Sequence, residues 1–540
     1  MFQPEELSKD EPLFWSTGIG TDVWKLFLAA GAGDLPTVQA LLDKDPALIR
    51  CAYDYRTPMN FAVRGNQLAI VAFLLERGAN PVSSGNNDTL QEMARDRGYT
   101  DIQQLLSNAI SPEHRSPEAE LVAAAIRNRD LAKVRELLDA APELVHARGE
   151  TSNQAIHWAV MTRQPAIIDE LLARGADINA QRADGARPLQ LTNGDYGYRG
   201  WRDVPKDTLA TPADIFRHLI ARGAYLDIYM AALSGNLARV RELLDQDPSL
   251  VNRIAECHTG YGGSGYAIGN AATAGHIEIV RLLLERGADP NLPEEGRAPR
   301  GHALYSAVSN GHYEVAKLLL EHGATPNAPV ESSADPLTIA ISNNDQPMIE
   351  LICSYGAARE VELLAYAGDI QTAAAVFHAN PSLANDPVAL ENAAGQGRDA
   401  FVRLMLRYQP DLATRIAVGV ASQGTADPIK SLALTEFLFQ QGMDPNKRNW
   451  LGITPLHRFA MRDNMNDAAL FISHGANIDA IDDEYCSTPL GYAARYGKIN
   501  MVKFLLEQGA DPHLPHEPSW AKPLSWATRR GHSAIIDLLQ

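Results

Sequence analysis

The feature that most constrains this chain is that it repeats itself. Thr454-Pro455-Leu456-His457 returns as Thr488-Pro489-Leu490-Gly491 and again as Lys522-Pro523-Leu524-Ser525, each copy 34 residues after the last. A second element follows the first at a regular distance. Phe504-Leu505-Leu506-Glu507-Gln508-Gly509-Ala510-Asp511-Pro512 has a near copy in Leu282-Leu283-Leu284-Glu285-Arg286-Gly287-Ala288-Asp289-Pro290. Such a period means a small unit stacked many times, because one unit cannot bury its own apolar face. A single ordinary core is excluded for 540 residues, since one domain usually spans about 100–200.

The unit is readable from its residues. After Gly275-His276, the segment from Ile277 to Arg286 sets Ile279, Val280, Leu283 and Leu284 on one stripe of a helix. Gly287 stands where a left-handed C-cap is wanted, and Pro290 blocks continuation. Upstream, Ala271 and Ala272 keep the preceding helix thin, so neighbouring units approach closely.

With the turn motif, these residues resemble the ankyrin repeat family, whose unit is about 33 residues of turn and two helices. The style of repeat is similar to the long arrays of bacteria. Further copies begin at Thr57-Pro58-Met59, Gln154-Ala155-Ile156-His157, Arg187-Pro188-Leu189, His302-Ala303-Leu304 and Asp335-Pro336-Leu337, with weaker ones between them. The resemblance covers nearly the whole chain. It implies an all-α ankyrin-repeat solenoid of about sixteen helix–turn–helix units with short hairpin tips. The expected organisation is an N-terminal cap segment over 1–23 and a continuous solenoid over 24–540. Insertions are expected at 192–208, 252–265 and 422–431. A variant ending recurs in Asp45-Pro46-Ala47-Leu48, Ala141-Pro142-Glu143-Leu144, Asp247-Pro248-Ser249-Leu250 and Asn380-Pro381-Ser382-Leu383. It predicts a proline-marked turn with a buried Leu.

Charge narrows the function. Lys and Arg number 48 against 66 Asp and Glu, a net charge of −18. Such a field repels phosphate backbones and anionic lipid, which argues against nucleic-acid and membrane-surface roles and favours a basic protein partner. No apolar run approaches the roughly 18 residues of a membrane span, and the acidic N-terminus lacks a hydrophobic secretory core. Cys51, Cys257, Cys353 and Cys486 lie too far apart for a disulfide framework, which fits a reducing cytoplasm. No metal-ligand spacing, calcium loop or phosphate loop occurs, so no metal or cofactor is expected. His157, His457, His276, His312, His532, His322 and His474 fall at set repeat positions and read as structural.

Chemistry is expected where the repeat is broken, because loops accept insertions without disturbing packing. One break, Thr192 to Asp203, mixes aromatic, Arg and Asp residues between the two helices of one unit. Another, Arg253 to Tyr266, carries Glu256, Cys257, His258, Tyr261 and Ser264 on glycine hinges. Asp195, Glu256, His258 and Tyr261 are the catalytic candidates if there is chemistry. Tyr198, Arg199 and Trp201 would hold a ligand, and the seven are expected to form one cluster. The resemblance adds binding positions on hairpin tips and first-helix ends: Tyr53, Asp54, Arg56, Trp450, Glu484, Tyr485, Arg495 and Tyr496.

Two functions compete. The leading one is a binding scaffold that recognises a protein partner through the concave groove and central insertions. The alternative is an acid–base enzyme of hydrolase or lyase type, or a binder of a polar small molecule such as a sugar. Its pocket would be roofed by the 192–208 and 252–265 loops. No spacing establishes a nucleophile–base pair. A monomer is favoured over a dimer formed through the apolar face near Ile535 and Leu539.

Overall fold

The turn motif starts a helix for a local reason. Thr488 is extended and its hydroxyl accepts the Gly491 N–H at 3.2 Å, while Pro489 takes the first helical position, where a missing N–H costs nothing. Thr57-Pro58 and Thr454-Pro455 open helices in the same way. The computed structural model describes residues 1–13, 16–81, 88–110, 118–149, 152–195, 197–255, 257, 265–292, 302–328, 335–357, 361–419 and 428–540, with side chains from 431 in the last stretch. Helices make up 61% of the described residues. Among the described residues no strand forms, and the β-structure is three isolated bridges, two of them at Tyr53–Arg56 and Gly194–Arg199.

The two helices of one unit are Ala267–Thr273 and Ile277–Glu285. Gly287, at φ 88°, ends the second. Its N–H donates to the Leu284 carbonyl and the Ala288 N–H to that of Leu283, at 3.0 and 2.9 Å, which satisfies two carbonyls the helix leaves open. Ile279, Val280, Leu282 and Leu283 are buried, whereas Leu284 is half-buried. The apolar arc is therefore turned from the expected stripe. The helix meets the second helices of both neighbouring units as well as its own partner.

First helices pack on first helices along the array, and Ala271 and Ala272 are fully buried between them. Side chains at the start of the second helix tie one unit to the one before. His276 Nε2 bonds the Leu233 carbonyl, His312 that of Thr273 and His532 that of Arg495, at 3.2, 3.1 and 3.2 Å. Each ring lies over the glycine that closes the earlier turn. A Cβ on Gly275 would stand 2.7 Å from the His312 ring.

The proline-marked endings form short 3₁₀ turns: Pro46–Arg50, Pro142–Val145, Pro248–Asn252 and Pro381–Ala384. The Leu expectation holds in two of them, where Leu48 and Leu144 are buried. In the other two Leu250 is half-buried and Leu383 exposed, and Val251 and Ala384 take the inner place. A 3₁₀ turn advances by a third of a circle per residue, so a small change in its entry moves the inward position by one.

In the N-terminal segment Leu7 and Leu13 are buried, and the first long helix, Gly20–Ala32, starts inside the span assigned to the cap. The described residues divide into two compact units. One comprises Met1–Glu5, Asp96–Gly98 and Ala358–Gln540, and the other Glu6–Arg95 and Tyr99–Ala357. The first holds a continuous apolar core running from Val361 to Leu539.

Candidate functional site

The unit opened by Arg187-Pro188-Leu189 departs from its neighbours in its first helix. That helix is cut to one turn, Pro188–Leu191, and the chain leaves it as a hairpin bridged from Gly194 to Arg199. A four-residue helix, Gly200–Asp203, follows before the second helix, Pro212–Ile220.

Asp195 organises this hairpin. Its Oδ1 accepts the N–H groups of Gly197 and Tyr198, at 2.9 and 2.7 Å. Its Oδ2 pairs with Arg182, a buried side chain of the preceding hairpin that also binds Asp184 and donates to Asn153 Oδ1 at 3.1 Å. Burial works against the Arg182 charge, but the two carboxylates outweigh it and hold the guanidinium above its usual value. Asp195 thus holds the loop in shape. Asp195, a catalytic candidate in the sequence, has both of its carboxylate oxygens engaged by these partners.

The loop presents aromatic rings and guanidiniums. Tyr198 donates its O–H to the Asp203 carbonyl at 3.1 Å and meets Trp158, on the first helix Ala155–Met161, edge-on at 5.8 Å. Arg127, the last residue of Ala119–Arg127, lies 4.5 Å over the Trp158 ring. Arg199 lies 5.9 Å from the Trp201 ring, and Trp201 is 58% exposed. Burial and Asp203 raise the Tyr198 phenol, while Arg129, Arg127 and Arg163 pull it down, so all three cations stand near it. Three consecutive units thus contribute to one face. Glu256, His258 and Tyr261 lie outside the described residues, so the expected cluster is described only on its Asp195–Trp201 side.

The other expected binding residues are mostly not free surface. Tyr53 to Arg56 forms a tight hairpin with Asp54 and Tyr55 at φ 47° and 63°, the signs that a type I′ turn needs. Arg56 is buried and ties back to the Asp54 carboxylate at 2.7 Å, and Tyr53 donates to Glu6 at 3.1 Å. Glu484, Tyr485 and Arg495 are buried too. Asp482 draws that tip inward by accepting the N–H groups of Glu484, Tyr485 and Ser487 and the Tyr492 hydroxyl, at 2.8 to 2.9 Å. The Arg495 guanidinium lies 4.3, 5.0 and 5.1 Å from the rings of Tyr485, Tyr496 and Trp526, a cation among aromatic rings. Trp450 and Tyr496 are half-buried. Exposure is not given by residue type at these tips, because Arg56 folds back on its own hairpin and Arg495 is enclosed by Tyr485, Tyr496 and Trp526.

The histidines at repeat positions are tied into the framework. His157 Nδ1 accepts the Gln154 N–H at 3.0 Å, so Nε2 carries the proton given to the Ala180 carbonyl, also at 3.0 Å. Burial, helped by the nearby Arg182 charge, lowers its pKa to about 3. His457 repeats the arrangement with Thr454 and the Ser487 carbonyl. His474 pairs with Glu436 at 2.9 Å beside a shallow groove between second helices lined by Leu432, Asn466 and Leu470. Among the described residues no three His, Cys, Asp or Glu side chains converge as metal ligands, and no helix is long and apolar enough to cross a membrane.

Comparison with known families agrees with the paired helices. The profile described as Ankyrin repeats (3 copies) matches residues 228–330, 299–362 and 425–516. The profile described as Ankyrin repeat matches 54–87 and 153–183. Among curated proteins, the palmitoyltransferase Hip14 of Drosophila melanogaster is 32% identical over 84 residues, 16% of this chain and 13% of that protein. The human palmitoyltransferase ZDHHC17 is 35% identical over 77 residues, 14% of this chain and 12% of that protein. The match thus covers only 12–13% of the length of these relatives.

Proposed function

The chain belongs to the ankyrin repeat family, and we propose that it is a scaffold holding a protein partner on the face built around the 192–203 hairpin. The observation that carries this reading is the outward presentation of Trp201 on a hairpin whose described residues are tied by hydrogen bonds. Asp195 is pinned by Arg182 and by two backbone N–H groups, while Trp201 stays 58% exposed next to the Arg199 guanidinium and Tyr198 packs on Trp158. A loop already held in shape loses little entropy on binding. Exposed Trp, Tyr and Arg are the side chains that most often dominate binding energy at interfaces.

The test compares proteins retained from a cell extract by the parent chain, by a Tyr198→Ala/Trp201→Ala variant and by a Tyr313→Ala control. Tyr313 is exposed on another unit. The parent and the control should retain the same set, and the loop variant should lose it while keeping its melting temperature. Identical sets from all three proteins would place the binding face elsewhere.

A further inference from the structure

The turn between the two helices of a unit contains one residue in the left-handed region. In most units it is glycine, as at Gly275 and Gly497. Asn66, Asn344 and Asp463 take it elsewhere, the residue types whose short polar side chains tolerate that conformation. Arg129 at φ 61° and Arg163 at φ 57° take it in two adjacent units. Glycine would serve the backbone there without strain. Side chains kept against that preference point to what they contact.

Among the described residues both guanidiniums bond neutral acceptors only. Arg129 donates to the Thr162 carbonyl at 3.0 Å and to Thr208 Oγ1 at 2.6 Å, and Arg163 donates to Asn193 Oδ1 at 3.1 Å. Neither has a carboxylate within ion-pair distance among the described residues, and Arg163 Nε is buried without a hydrogen bond among them. Each arginine carries five N–H donors, most of them without a partner among the described residues. Asp130, next in sequence, is turned away to cap its own helix through the Lys133 N–H. Arg127 has Glu120 at 3.5 Å and stacks on Trp158. The result is a patch of positive charge and aromatic rings on a chain whose net charge is −18.

We propose that Arg127, Arg129, Arg163, Trp158 and Tyr198 hold a short acidic peptide segment of the partner protein. This rests on the scaffold reading above and gives the partner its chemistry. Carboxylates accept from guanidinium forks in charge-assisted pairs, and the flanking rings take the apolar part of the segment. The net charge favours a basic partner at long range, but at contact distance this face has the opposite sign. A long polyanion such as a nucleic acid would run past these three units into the negative field of the rest.

The probe is a fluorescein-labelled decapeptide of glutamates around a central Trp, titrated by anisotropy at low salt. Double variants are Arg129→Gly/Arg163→Gly, which also relieves the backbone, and Arg129→Gln/Arg163→Gln, which keeps amide donors without charge. Both should bind at least tenfold more weakly than the parent, a surface control Arg281→Gln should match the parent, and added salt should weaken parental binding. Melting of at least the Gln pair should stay within a few degrees of the parent. Full affinity in either double variant overturns the proposal. So does a parent that ignores the peptide, or one that binds an oligonucleotide of equal charge more tightly. If Tyr198→Ala/Trp201→Ala loses captured partners while both arginine pairs keep them, the scaffold reading stands and the acidic segment falls. If all the variants keep them, both fall.

Discussion

Arg129 and Arg163 show what a residue contributes beyond its type. Their meaning comes from a column of the repeat that is otherwise glycine, asparagine or aspartate among the described residues, a signal that lies in the units compared with one another and not in either residue alone. At this scale two outcomes follow. His157 is neutral in the fold, with a pKa near 3, but titrates near 6.5 when unfolded. The unfolded chain therefore binds the extra proton between those values, and stability is lost as pH falls from 6.5 towards 3, by up to about 1.4 kcal/mol per pH unit. At the equivalent place of another unit Asn60 Oδ1 accepts the Thr57 N–H at 2.9 Å, so His157→Asn should cost about 1 kcal/mol at pH 7. It should also flatten the slope of denaturant stability against pH between 6.5 and 4; an unchanged slope would mean His157 is not the group. Asp195→Ala should lower stability by about 3 kcal/mol, because it strips one partner from buried Arg182. If it leaves the melting curve where it was, Asp195 is not what holds the hairpin.

At the scale of helices and turns, the fold was legible because spacing reports it directly. The 34-residue return of Thr-Pro-Leu and the Gly-Ala-Asp ending mark where helices start and stop, and the structure puts caps at those places. Which side chains a tip hides was not legible. Tyr485 and Arg495 are covered by Trp526 of the next unit and by the inward pull of Asp482, neither of which leaves a local signal. The helix Ile277–Glu285 gives a clean test of the packing. Leu283 is fully buried, so Leu283→Asp places an unpaired charge in the core and should cost on the order of 4 kcal/mol in denaturant melts. Gly275→Ala should cost about 1–2 kcal/mol from its left-handed backbone, and more from the His312 ring 2.7 Å from the new Cβ. His312→Ala in the same chain should restore the steric part alone. Simple additivity of the two losses would show that the ring does not lie over the turn.

At the scale of the molecule, a repeat array is stabilised mainly between neighbours, so a stretch with its own continuous core should fold alone. Residues 361–540 contain such a core. Expressed separately, they should give a helical circular dichroism spectrum and a cooperative melt; a chain without helical signal would contradict the division into two compact units. The central functional claim is that a partner is held at the 192–203 face, and proximity labelling tests it most directly. A photo-crosslinking benzoylphenylalanine is placed at Trp201 in one chain and at exposed Tyr313, three units away, in another. Irradiation in cells should give a discrete higher-mass adduct from position 201 that is absent from position 313. No adduct from 201, or the same adduct from both positions, would contradict the account.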